Sequence, residues 1–368
     1  MPSLTRLTLG DVEALAHGCT LLGSGGGGSV EIVAPLLRRA LQTAGTVPVT
    51  RASDLPPAAR VACIGAVGSP NGIGERLPSG TEFARAARAL EDHTGVPFDA
   101  VQPLEIGGLN GLVAPVAASS LGLPLLDSDA MGRAYPRLDH TVLLGVVPAS
   151  PLALANATGD VLILDSQDDR VERLVRSVLA AMGTWAAVCI YPGPAALYAE
   201  YAVSGSVDRA LRLGQAFAAH RRREEAARTG SGTPDGEGPD VLTAAGATTV
   251  FEGTVLEVRR DQPITDVGGV ATLGHAVDEH RSLRLDFANE YVAAFDDGVP
   301  VAVAPDIICV LDARTWASVA VERLAVRQRV RVIRLPAPPE LTRRRPERID
   351  LGLRAYDLAP IAPIEVGR

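Results

Sequence analysis

Lysine is absent from this sequence; all 35 of its basic side chains are arginine. Without a lysine amine the chain cannot form a Schiff base with a carbonyl substrate or hold pyridoxal phosphate. Nor can it complete a P-loop around a nucleotide phosphate. A GC-rich coding bias accounts for the arginine, and the exclusions stand whatever its origin. Cysteine is scarce as well. Cys19, Cys63, Cys189 and Cys309 lie far apart, without metal or redox spacing, and read as reduced, buried thiols of a cytoplasmic protein. Aromatic residues make up 4% of the chain, and Trp185 and Trp316 are too sparse for a stacking platform. No run of about 18 apolar residues occurs, so no membrane span is expected. The opening MPSLTRLTLGDVEALAHG has no charged region followed by an apolar one, so no secretory signal is expected. A net charge of -8 with no basic run repels a phosphate backbone and argues against nucleic acid as a partner.

What is present is a chain of 368 residues, 47% of them hydrophobic, a length that suits about two domains. Its first part alternates helix and strand, which predicts an α/β domain. A short helix over Gly10 to His17, with Asp11 at its start, runs into the loop GSGGGGSV and then the helical VEIVAPLLRRALQ. RVACIGAVGSP, PFDAVQPLEIGG and LPLLDSDAMGRA read as strands, separated by the helices TEFARAARALEDH and NGLVAPVAASSLG. HTVLLGVV, DVLILD and WAAVCIYPG read as further strands and DDRVERLVRSVLAAMG as a helix. The segment from Gly193 to Arg228 is largely helical, interrupted near Gly205. TGSGTPDGEGPD then reads as a loop or linker. Beyond it come VFEGTVLEVRR, GVATLGHAV, SLRLDFANEYVAAF, PVAVAPDIICVLD and RVRVIRLPA, strands without helices. They predict a smaller all-β domain, sandwich or barrel. The expected division is residues 1–240 for the α/β part and 241–368 for the β part, with no internal repeat.

Chemistry-bearing residues gather at the predicted strand ends, where α/β folds collect ligands. Glu75 and Glu82 follow one strand, Glu105 and Asn110 end another, and Asp127, Asp129 and Arg133 end a third. Asp127 and Asp129 are two apart, so on a continuous strand both face one side. Two carboxylates that close raise one pKa, which suits a general acid and base; a divalent metal is another use of such a pair. Against both stands the plain reading of a turn acid capping the next segment. The loop Ser24, Gly25, Gly26, Gly27 and Gly28 costs about 2–4 kcal/mol in chain entropy. It could aim amides at a substrate anion or oxyanion, or it could be a tight helix–helix turn. The histidines form no metal signature: His275 and His280 are five apart, His140 starts a predicted strand, and His17 suits a helix C-terminus. Cys63 reads as a packed thiol.

The segments GCTLLGSGGGG, ERLPSGTE, EIGGLNG, LGLPLLDSDAMGRAYP, FANEYVAAF and PDIICVLD, in this order, cover most of the chain. Together they resemble the S-methyl thiohydantoin desulfurase family, which is often found beside hydantoinase/oxoprolinase-type proteins. The chain departs from that pattern at Asp139-His140. The resemblance implies an N-terminal α/β domain and a smaller C-terminal β domain. It also implies hydrolysis of a methylthio-substituted five-membered ring, with release of methanethiol. On this reading water attacks a ring C=N or C=O carbon. Asp127, Asp129 and Glu105 supply acid and base, the Ser24–Gly28 loop, Glu75 and Asn110 bind the ring, and Arg133 holds a substrate carboxylate. Two alternatives remain: a non-catalytic subunit of a hydantoinase-like complex, and an isomerase or lyase on a related ring. A metal-bound hydroxide and a homo-oligomer also remain open.

Overall fold

A computed structural model of the chain describes residues 4–229, 240–261, 268–343 and 351–356. Of the predicted linker, residues 230–239 lie outside the described residues, as do 344–350 of the arginine-rich segment near the end.

The first layer is an eight-stranded mixed sheet. Its strands are β1 (Arg6–Thr8), β2 (Thr46–Thr50), β3 (Arg60–Gly68), β4 (Ala100–Pro103), β5 (Leu125–Leu126), β7 (Leu152–Ala155), β8 (Val161–Leu164) and β9 (Trp185–Pro194), while β6 (Ser128–Asp129) lies outside it. The order is β1-β2-β5-β4-β3-β9-β7-β8. The centre β2-β5-β4-β3 is parallel, as helical crossovers require. The flanking pairs are antiparallel. Helices α1 (Val12–Leu22), α2 (Val30–Ala44), α3 (Pro70–Glu75), α4 (Thr81–Thr94), α5 (Asn110–Leu121), α6 (Asp168–Leu179), α7 (Ala195–Tyr201) and α8 (Ser206–Thr229) accompany it. Helix α5 is apolar nearly all round and is buried from Asn110 through Ala118.

Helix α1 continues beyond His17 through Gly18 to Leu22, so His17 is not a C-terminal dipole partner. It faces Arg221 of α8 instead, with Nε2 3.4 Å from the guanidinium. The extension is possible because α1 and α8 pack backbone to backbone. A Cβ added at Gly18 would fall on the Ala210 carbonyl, and one at Gly214 on the Ala14 carbonyl. The two helices interlock through these glycines, which fixes the N-terminus of α8 against the first layer.

The apolar run HTVLLGVV is not a strand. Residues 141–147 fold as consecutive turns, closed by Leu144 N–H to Thr141 O, Val146 N–H to Leu143 O and Val147 N–H to Leu143 O. Continuous hydrophobicity marks burial, and here the core is filled from turns. The stretch LPLLDSDAMG is also not one strand. It breaks at Asp127, and β6 pairs with the short β10 (Val203–Ser204) away from the main sheet.

The second layer is a seven-stranded antiparallel sheet curled into a half-barrel, ordered β15-β14-β13-β12-β11-β17-β16. Its strands are β11 (Thr248–Asp261), β12 (Gly268–His275), β13 (Ser282–Ala288), β14 (Glu290–Asp296), β15 (Val299–Val303), β16 (Ile307–Asp312) and β17 (Arg329–Leu335), preceded by the short helix α9 (Val241–Ala245) and followed by α10 (Pro339–Arg343). SLRLDFANEYVAAF is a hairpin and not a single strand. Asn289, at φ +61°, turns β13 into β14, and Asn tolerates that conformation better than most residues. The α/β first part and the β-rich last part agree with the fold expected from sequence.

Candidate functional site

The parallel strands end where three segments meet: the glycine loop between α1 and α2, the Glu105–Asn110 turn after β4, and the Asp127–Tyr135 stretch. The glycine loop is held by protein on two sides, with Ser24 buried and Gly25 to Gly28 half-buried. Ser24 is fully buried; its hydroxyl lies 3.1 Å from the Tyr291 carbonyl and 2.9 Å from that of Ile308, and accepts from Ile308 N–H at 3.1 Å. The Ser24 and Gly25 carbonyls accept from the Tyr291 and Val321 amides. A Cβ on Gly25, at φ +84°, would enter the Tyr291 ring, and one on Gly26 would lie 2.5 Å from the Asn289 carbonyl. On the other side Gly27 O accepts from Leu109 N–H, and Gly27 and Gly28 pack on Gly108 and Leu109. The surplus of glycine is therefore accounted for by a three-way junction of α1, the β4–α5 turn and the half-barrel.

Glu105 is 5% exposed. Its carboxylate accepts from Asn110 Nδ2 at 2.7 Å and from Tyr135 N–H at 3.0 Å. Burial pushes its pKa up to about 7, against the pull of those two donors and of the Arg133 charge. Asn110 in turn accepts from Ala66 N–H, stitching the turn to β3. Arg133 is fully buried and does not reach out as a clamp. Its guanidinium donates to the carbonyls of Ala134, Asp306 and Tyr291 and lies over the Tyr135 and Tyr356 rings, tying the two layers together. Glu75 is exposed at the end of α3 and does not line the cleft described below. Glu82 binds the amides of Ser79 and Gly80 and caps α4.

Asp127 and Asp129 serve different neighbours. Asp127 accepts from Val207 and Asp208 N–H at 3.0 Å each, satisfying the first turn of α8, the capping role its sequence position also allowed. Asp129 is 0% exposed, and its Oδ2 accepts three amides: Ile106 at 2.9 Å, Met131 at 3.1 Å and Gly132 at 2.7 Å. Among the described residues its Oδ1 has no hydrogen-bond partner. Burial is the leading cause that raises both pKa values to about 6, in place of the mutual repulsion expected from their spacing.

Beside Asp129 lies a cleft of about 340 Å³, within the usual range for small-molecule sites. Leu22, Ile106, Val203 and Pro338 supply apolar wall, and Ser206, Arg209 and Glu340 the polar groups. Ser206 is 3% exposed, and its Oγ also lacks a partner. It faces Asp129 without completing a hydrogen bond, close enough to favour the ionised carboxylate. Sequence reading missed Ser206, Arg209 and Glu340. A serine and an arginine at a helix start look like an ordinary first turn, and Pro336–Pro339 like a plain loop. Among the described residues no group of three or more His, Cys, Asp and Glu side chains is arranged to hold a metal. No helix among the described residues is long and apolar enough to cross a membrane.

Glu105 makes stability depend on pH. In the fold its carboxyl keeps a proton to about pH 7, against 4.5 ordinarily. The stabilisation is full below the unfolded value and is lost as pH rises through about 7, a change of about 3 kcal/mol. The melting temperature should thus fall from about pH 4.5 to about pH 7 and level off above it. Glu105→Gln should flatten that slope while lowering the baseline, because one amide oxygen cannot serve both Asn110 and the Tyr135 N–H. Thermal melts across this range check it; an unchanged slope in the variant assigns the titration to another group.

No curated protein matches this chain. The X-ray structure of a structural-genomics target from Chromobacterium violaceum is similar, with a TM-score of 0.74 over 96% of each chain and 23% sequence identity. At that identity the likeness shows the fold alone. Models of the S-Me-THD-like N-terminal and C-terminal domains match residues 10–166 and 166–364. The chain therefore belongs to the S-methyl thiohydantoin desulfurase-like family.

Proposed function

We propose that this protein is a hydrolase of a methylthio-substituted five-membered ring, acting in the cleft beside Asp129. The observation that carries the reading is the asymmetry of Asp129. One oxygen is anchored by three amides while the other, equally buried, is left without a partner on the side of Ser206. A buried acceptor without a donor is costly unless something else supplies one. Ser206 lines the cleft and faces the Asp129 carboxylate. Water attacks the ring carbon that bears sulfur. Its proton passes to Ser206 Oγ as the serine gives its own to Asp129. The tetrahedral centre then collapses and the C–S bond breaks. The hydroxyl left on the ring carbon gives its proton to the ring nitrogen and becomes the carbonyl, and methanethiolate leaves with the proton held by Asp129. Ring plus water become hydantoin plus methanethiol, with atoms and charge balanced.

The assay is release of methanethiol from an S-methyl thiohydantoin by the purified chain, with solvent oxygen followed into the product by mass spectrometry. Thiol release with labelled oxygen at the ring carbonyl supports the reading. Consumption without solvent oxygen would favour a lyase or isomerase. No turnover of ring substrates would favour a non-catalytic subunit, and either outcome sinks the hydrolase.

A further inference from the structure

Arg209 is a charge without a salt bridge in a half-buried place. It stands one turn into α8, lines the cleft, and among the described residues forms no ion pair within 4 Å. One hydrogen bond, Nη2 to the Pro336 carbonyl at 3.1 Å, fixes the guanidinium across the cleft and leaves its other N–H groups for another partner. The neighbouring acids, Asp129 first and Glu340 after it, favour the Arg209 charge only through their fields, and neither comes within 4 Å of it. Burying a guanidinium without a paired anion is unfavourable, and its planar fork matches a carboxylate best. The remaining wall is apolar, which suits the face of a ring.

We propose that Arg209 sets the specificity of the cleft, and that the substrate ring carries an anionic substituent, a carboxylate on a short arm, which Arg209 holds while the sulfur-bearing carbon faces Ser206. This rests on the hydrolase reading for the placement of the ring, and extends it to the class of substrate. The substituent lies at the Arg209 end of the cleft. The reacting carbon lies at the Ser206 end, three residues earlier on the same helix and therefore on the same face.

The test compares two nearly isosteric S-methyl thiohydantoins, one bearing a 2-carboxyethyl arm and the other a 2-carbamoylethyl arm. The wild-type protein should prefer the acid by about 100-fold in kcat/KM, chiefly through KM. In Arg209→Gln the preference should collapse towards unity. Arg209→Lys, which keeps charge without the fork, should fall between. Binding of the two matching hydantoins, measured by calorimetry, gives the same comparison without turnover. If neither thiohydantoin reacts but the acid hydantoin still binds more tightly through Arg209, the hydrolase reading fails and this one stands. Equal affinity for acid and amide, or a preference that survives Arg209→Gln, overturns it. If Arg209→Gln does not fold, Arg209→Lys and the wild-type binding pair still decide.

Discussion

Asp129→Asn should fold, melt close to the wild-type protein, and lose turnover by about 100-fold or more, the usual scale for removing acid–base help. The fold should tolerate the change because an amide oxygen in place of Oδ2 still accepts from Ile106, Met131 and Gly132. The amide nitrogen then sits where the unpartnered Oδ1 was, and turns a donor towards Ser206 where the wild type has an acceptor. At neutral pH the wild-type protein also bears the cost of an ionised carboxyl in a site that raises its pKa to about 6, and the variant is relieved of that cost. The loss should therefore lie in chemistry and not in stability. The pH profile separates the two. Wild-type kcat/KM should rise through about pH 6 as the carboxyl ionises, and the residual activity of Asp129→Asn should lack that limb. Ser206→Ala should show a loss of similar size with the limb retained. Full activity in Asp129→Asn on a turned-over thiohydantoin would remove the aspartate from the mechanism.

The largest effect on the fold is expected at Gly214. A Cβ there would occupy the position of the Ala14 carbonyl oxygen. The obstacle is backbone within a helix, so no side-chain rotation relieves it. Helices α1 and α8 would have to part along their length. Overpacking commonly costs about 1–3 kcal/mol, and backbone against backbone belongs at or beyond the top of that range. Gly214→Ala should lose about 3 kcal/mol or more, lowering the melting temperature by roughly 5–10 °C or leaving the protein insoluble. Because α8 also presents Ser206 and Arg209 to the cleft, whatever folds should bind substrate poorly. Gly74→Ala is the control. It lies on the exposed side of α3 with nothing within 4 Å of an added Cβ, and should stay within about 0.5 kcal/mol of wild type. A Gly214→Ala protein that melts with the control contradicts the interlock.

Much of this architecture is legible in the residues. The two helices around the glycine loop, amphipathic α4, apolar α5 and the succession of strands after Thr248 follow from periodicity and turn residues. So does the clustering of Glu105, Asn110 and Arg133, since strand ends in an α/β layer converge. Three things were not legible. Spacing cannot report that a strand breaks, and the break at Asp127 sends two aspartates to different partners. Hydrophobicity alone could not distinguish HTVLLGVV, folded as turns, from a buried strand. The polar groups of the cleft come from α8 and the 336–340 segment, distant from Asp129 in sequence and brought to it by helix packing that depends on bare glycine backbone. Four glycines in a row suggested a ligand cradle, but close approach is required equally when the approaching body is the protein's own half-barrel.

The family models meet at residue 166, yet the first sheet does not end there. Strand β9 enters from the second segment and lies between β3 and β7. The hairpin β7–β8, on the first side of the junction, reaches the rest of its sheet only through β9. A recombination event at the junction would join a β9 from one lineage to β3 and β7 from another, and every inward-facing contact along that strand would have to match at once. The two segments are therefore bound to be inherited and to diverge together, as one unit of descent, although they are recognised as two.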